Sequence, residues 1–212
     1  MGTFHSNLQV SGSTREAARE AFRLAGLRPA FVVGQPPWIG VCAELLDGQD
    51  VELMEAACRN LSLRLEARAF GFLVHDSDVL LFFLYAEGRR VDVYSSRPGY
   101  FSGERQPPSG GDVAALLKMA LPGTTEAQLR RLLHELRLAG PRKKRWAPQV
   151  EALPFWRRLI VKRALWLLTL GAGPPAELLL AELAALLGIP EVQALSSFRD
   201  LREDARHAGD AI

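Results

Sequence analysis

His75, Asp76 and Asp78 lie within four residues and combine an imidazole with two carboxylates, the groups that ligate metal ions and shuttle protons. The tetrapeptide His75-Asp76-Ser77-Asp78 also divides two apolar runs, and Asp and Ser hydrogen-bond their own backbone in hairpin turns. With no companion ligand signature elsewhere in the chain, the turn is the stronger reading. We expect no metal and no catalytic set at this position.

A second group suits recognition rather than catalysis. Asp92, Tyr94, Arg97 and Tyr100 sit on or just after one strand, and tyrosines beside an arginine have the composition of a binding patch. Tyr94, Arg97 and Tyr100 are therefore the candidate partner-binding residues of the front half. The competing reading has the tyrosines sealing the sheet edge under the following loop, with Arg97 paired to Asp92.

A third group is electrostatic. Between Arg130 and Arg163 there are eleven Lys or Arg residues against two acids, Glu135 and Glu151, in a chain whose net charge is +2. Such a segment suits an acidic protein surface, nucleic acid or an anionic lipid surface. Around a helix Arg157, Arg158, Lys162 and Arg163 would not share a face, which disfavours a lipid-surface helix. The candidate external contact is the stretch Arg142, Lys143, Lys144, Arg145 and Trp146. The remaining basic residues are expected to form an internal seam against the more acidic flanks.

Other motifs are weaker. Ser109-Gly110-Gly111-Asp112 lacks the Gly-Lys-Ser/Thr core of a phosphate loop and reads as a turn leading into a helix cap. The segments around Gly188-Ile189-Pro190 have helix-turn-helix spacing, but Glu191, Asp200, Glu203 and Asp204 on the second segment oppose phosphate. No Gly-x-Ser-x-Gly, His-Glu-x-x-His or Cys-x-x-Cys motif occurs, and the four histidines are scattered. A non-enzyme without a cofactor is the expectation.

The elements that must position these groups follow from periodicity. Phe4 to Val10 alternates as a strand, and Ser13 or Thr14 caps a helix through Ala25. Ala30 to Val33 and Trp38 to Leu45 read as strands around a proline turn, and Val51 to Leu61 as a second helix. Leu63 to Val74, Val79 to Ala86 and Arg90 to Tyr94 are three further strands, the middle one apolar on both faces and therefore central. A weak echo between the two parts suggests a duplicated strand-helix-strand-strand unit.

From Asp112 onward the pattern is helical: Val113 to Ala120, Glu126 to Leu138, Phe155 to Leu170, Ala176 to Leu187 and Glu191 to Arg206. The fold class is α+β, a mainly antiparallel sheet with two covering helices followed by a helical C-terminal part. We divide it as a sheet domain, 1–111, and a helical region packed on it, 112–212. Cys42 and Cys58 lie in apolar surroundings and read as buried thiols in a reducing compartment. No basic segment followed by an apolar run opens the chain, and the most apolar stretch, Leu159 to Gly171, is short for a membrane span and carries Lys162 and Arg163. A cytoplasmic location is expected.

The stretch FGFLVHDSDVLLFFLYAEGRRVDVYSSRPGYF, residues 70–101, with PSGGD at 108–112 and LAALLGIP at 183–190, resembles a pattern in uncharacterised bacterial proteins. The resemblance implies the strand, acidic turn and strand order given above, and no activity. The function expected is a protein-protein interaction or regulatory module whose partner has an acidic surface. A small-molecule sensor with a cleft between the duplicated halves is one alternative. Nucleic-acid binding through residues 130–163 is another.

Overall fold

The computed structural model describes residues 4–104, 106–135 and 176–204. Strands β1 (His5–Ser11), β2 (Ala30–Gln35), β3 (Trp38–Ala43), β4 (Arg68–His75), β5 (Val79–Ala86) and β6 (Arg89–Ser95) form one six-stranded sheet. Their order is β2-β3-β1-β4-β5-β6 and every pairing is antiparallel. The α+β expectation is met.

Helix α1 (Arg15–Leu24) starts where the Thr14 hydroxyl accepts the Ala17 N–H, and α2 (Val51–Arg64) where the Asp50 carboxylate accepts the Leu53 N–H. Each cap satisfies an amide that has no partner within its helix. Helix α1 connects β1 to β2 across β3, and α2 connects β3 to β4 across β1. The two strand-helix-strand units interlock in the split βαβ arrangement, with β5 and β6 added beside β4. The repeat carried by the sheet is thus strand-helix-strand, and each of the two helices is preceded by one strand and followed by at least two, the order the echo describes.

Right-handed crossovers in this arrangement put both helices on one face of the sheet. There Leu8, Val10, Val41 and Ala69 meet Ala18, Phe22, Met54, Cys58 and Leu61 in one buried cluster. Gly71 permits the close approach of α2, because a Cβ at that position would stand 2.6 Å from Cys58 Sγ and 2.7 Å from Met54 Sδ. Strand β4 begins at Arg68, later than the expected Leu63, because Leu65 N–H still donates to Leu61 O and keeps Leu61 against the sheet.

The opposite face is covered by α3 (Val113–Leu117), α4 (Glu126–Arg130), the π-helical turn Arg131–Glu135 and α5 (Ala176–Leu187). Leu116, Leu129, Leu133, Leu179, Leu180 and Leu183 share a cluster with Phe70, Phe72, Leu80, Phe82 and Tyr94. Two short helices follow, α6 (Glu191–Ala194) and α7 (Phe198–Glu203), where a single helix from Glu191 was expected. The break has a local cause. Ser197 and Asp200 form a reciprocal capping box, and Asp47 accepts the Phe198 and Arg199 N–H groups at 3.3 and 3.1 Å, so a new helix starts there.

Beneath α6 and α7 the central strand β1 presents a polar row, His5, Asn7 and Gln9, all buried. Asn7 Nδ2 donates to the carbonyls of Ala194 and Ser196 at 2.7 and 2.9 Å. Gln193 Nε2 donates to Gln9 Oε1 at 2.6 Å and to the Trp38 carbonyl at 3.3 Å. The buried polar side chains of β1 thereby dock the α6–α7 segment, and their desolvation is offset by these hydrogen bonds.

Candidate functional site

The turn between β4 and β5 spans three residues, Asp76, Ser77 and Asp78, between the paired His75 and Val79. Asp76 and Ser77 both have left-handed backbone, with φ of 51° and 58°, and Asp78 N–H donates to His75 O at 3.0 Å. This is the geometry that matches the twist of paired strands, and polar side chains tolerate it better than bulky ones. The turn places His75 at one end of the sheet, where β1 begins and β6 ends.

Three aromatic rings converge on His75. Phe4, Phe101 and Tyr100 lie edge-on to the imidazole with centroids 5.0, 5.1 and 5.7 Å away. Phe4 precedes β1, and the other two come from the loop after β6. That loop is anchored by Ser96, whose N–H donates to Leu80 O while its hydroxyl accepts the Leu80 N–H. Beyond the anchor, Tyr100 N–H donates to Arg97 O and folds the loop back over the hairpin turn. The Arg97 guanidinium then lies over the Tyr100 ring at 5.3 Å, within cation–π range.

Phe101 is 71 % exposed and Phe4 49 % exposed, although both rings pack against His75. Burial pushes the Tyr100 hydroxyl above the ordinary tyrosine range, the Asp78 and Asp76 charges add to this, and Arg97 opposes it. The hydroxyl keeps its proton near neutral pH and remains a donor. The Arg97 Nη1 atom is shielded from solvent and has no hydrogen-bond partner.

Gln49 supports the imidazole from below. It follows the 3₁₀ turn Glu44–Gly48 and has a φ of 56°, a left-handed conformation that costs a non-glycine residue on the order of 1 kcal/mol. Its Nε2 donates to Val74 O at 2.7 Å and its Oε1 lies 2.6 Å from His75 Nδ1.

The sequence-derived residues separate clearly. His75, Arg97 and Tyr100 come together. Tyr94 does not join them: it is 1 % exposed, stacks on Phe82 at 5.0 Å and donates its hydroxyl to Leu133 O at 2.8 Å. Burial raises its pKa well beyond the ordinary value. Asp92 accepts the Gly111 and Asp112 N–H groups, so the expected pairing with Arg97 gives way to backbone capping of the loop. Arg142, Lys143, Lys144, Arg145 and Trp146 lie outside the described residues, as does most of the basic segment.

Phe4, Gln49 and Phe101 were missed as site residues. Phe4 looks like the first residue of an alternating strand, Gln49 like part of a turn, and Phe101 differs from other loop aromatics only in its exposure. Ser109-Gly110-Gly111-Asp112 pairs with β6 and caps α3, as its turn-and-cap reading requires.

The chain matches no protein-family model, no curated protein and no solved structure. Chemistry must therefore be read from the geometry. Among the described residues no three His, Cys, Asp or Glu side chains group as a metal site, and no helix is long and apolar enough to cross a membrane. What the sheet end offers is exposed apolar surface with a stacked arginine, a tyrosine donor and an oriented imidazole. A separate groove of about 470 Å³, lined by Glu52, Glu55, Arg59, Tyr85 and Arg90, is open and of mixed charge.

Proposed function

We propose that this chain is a non-catalytic protein-binding module that engages its partner through Phe4, His75, Tyr100 and Phe101 beside Arg97. The observation that carries this reading is the exposure of Phe101 and Phe4 within a cluster of rings already held in edge-to-face contact. Exposed aromatic surface of this kind marks interaction sites more often than an isolated surface side chain does. Preformed rings lose little conformational freedom on binding, and Tyr and Arg are the residues that dominate interface energetics. The partner presents an apolar side chain that covers Phe4 and Phe101. Acidic groups on that partner would suit the charge of Arg142, Lys143, Lys144 and Arg145.

The test compares partner capture by the wild-type chain with capture by a Phe4→Ser/Phe101→Ser variant and by a charge reversal at Arg142, Lys143, Lys144 and Arg145. A partner retained by wild type and lost from the aromatic variant, with unchanged unfolding midpoint, supports the reading. Equal retention of the same protein by wild type and the aromatic variant refutes it. Loss only on charge reversal assigns the contact to the basic stretch instead.

A further inference from the structure

The hydrogen bonds of Gln49 fix where the proton sits on His75. A carbonyl accepts and cannot donate, so the end of the Gln49 amide facing Val74 O at 2.7 Å is its NH₂ group. The other end, an acceptor, therefore faces His75 Nδ1 at 2.6 Å, and Nδ1 must carry the proton. In the neutral ring the remaining nitrogen, Nε2, then holds a lone pair. Among the described residues His75 Nε2 has no hydrogen-bond partner, and it is not one of the buried unpartnered atoms. Its surroundings include Phe4, Tyr100 and Phe101, which supply edges and faces but no donor to Nε2.

We infer that Gln49 is a positioning residue that fixes His75 as the Nδ1–H tautomer, so that Nε2 receives a hydrogen bond from an N–H of the partner polypeptide. The inference rests on the reading of this patch as a binding surface and adds its polarity: an acceptor at the centre of an apolar rim. The left-handed backbone of Gln49 is consistent with such a role. A residue held in a costly conformation to orient one ring is an arrangement found where geometry matters for recognition. Gln49 is also fixed from its C-terminal side, because the next residue, Asp50, caps α2.

The experiment uses the full chain with labelled histidine nitrogens at about pH 8, above the ordinary histidine pKa. One-bond and long-range proton–nitrogen spectra report which ring nitrogen of His75 is protonated, and N-acetylphenylalaninamide, a ring with adjacent N–H groups, serves as the probe. The expected result is Nδ1–H in wild type and in Gln49→Glu, which keeps the acceptor, and a mixture of tautomers in Gln49→Leu. Probe binding should shift Nε2 and the Phe4 and Phe101 ring signals, and should weaken about three- to tenfold in Gln49→Leu, the worth of one neutral hydrogen bond.

An Nε2–H tautomer in wild type overturns the inference, as do identical populations in Gln49→Leu. A probe that shifts the Phe4 and Phe101 rings but leaves Nε2 unmoved overturns it too, while sparing the binding surface. Silence of all the rings removes the binding surface, and the partner contact falls with it. Should Gln49→Leu fail to fold, the wild-type and Gln49→Glu spectra still decide the tautomer.

Discussion

Asn7 and Ser196 are joined by a buried hydrogen bond, Asn7 Nδ2 to Ser196 O at 2.9 Å, across 189 positions of the chain. The same Nδ2 reaches Ala194 O, and Asn7 Oδ1 accepts from Gln9. One side chain on the central strand thus holds the segment between α6 and α7. Replacing Asn7 with Leu leaves these carbonyls without a donor in a dry site. The expected loss is about 2–4 kcal/mol in urea unfolding, with the amides of α7 losing exchange protection first.

Gly40 and Gln193 make a second, steric test of the same docking. A Cβ on Gly40 would stand 2.7 Å from Gln193 Cγ, and Gln193 cannot swing away without breaking its bonds to Gln9 and Trp38. Gly40→Ala should destabilise by about 1–3 kcal/mol. Combined with Gln193→Ala it should cost less than the sum of the two single changes, a non-additivity that a double-mutant cycle measures directly.

Asp200 sets part of the acid limb of stability. Burial raises its pKa, but the His5 imidazole 3.5 Å away, with the Ser197 hydroxyl and N–H, outweighs this and holds it below the ordinary carboxylate value. A depressed folded-state pKa adds stability above the unfolded value, and that stability fades as pH falls through the folded one. Asp47, raised chiefly by burial, works in the opposite sense and favours the fold when protonated. Unfolding free energy measured from neutrality into the acid range should therefore fall less steeply in Asp200→Asn than in wild type.

Tyr94 and Tyr100 should respond in opposite ways to loss of the hydroxyl. Tyr94→Phe strands the Leu133 carbonyl in the core and should cost about 1–2 kcal/mol of stability without touching partner binding. Tyr100→Phe sits at the surface cluster, should change stability by less than about 0.5 kcal/mol, and should weaken partner retention.

Cys42 and Cys58 are wholly buried, and desolvation raises both thiols well above the ordinary value. Alkylation by iodoacetamide should be negligible in the native protein and rapid in urea. Prompt native labelling of either cysteine would show that its covering helix opens locally.

Much of the framework is legible in the residues themselves. Thr14 and Asp50 are cap residues ahead of amphipathic runs, and both helices begin there. The unbroken apolar run Val79 to Tyr85 announced a strand covered on both faces, and β5 is one. The break before α7 was also legible, since Ser197 and Asp200 have capping-box spacing, but the apolar periodicity of the flanking residues masked it.

The aromatic site was only half legible. Tyr94 and Tyr100 have the same side chain six positions apart, and nothing local says that one fills the core while the other joins the surface. The difference arises because β6 turns Tyr94 toward the face that α4 and the π-helical turn cover, whereas Tyr100 lies on a loop beyond them.

His5, Asn7 and Gln9 make the general point. Alternation alone assigns them to a solvent face, and they are buried because the segment Gln193 to Asp200 supplies carbonyls that match the Asn7 and Gln9 amides and a carboxylate beside His5. Residue types and their periods determined the helices, the strands and the α+β class, since those depend on neighbours a few positions away. Which polar side chains are interior, and that Gln49 meets His75, depended on surfaces brought together from distant parts of the chain, where burial and unsatisfied hydrogen bonds set the energy.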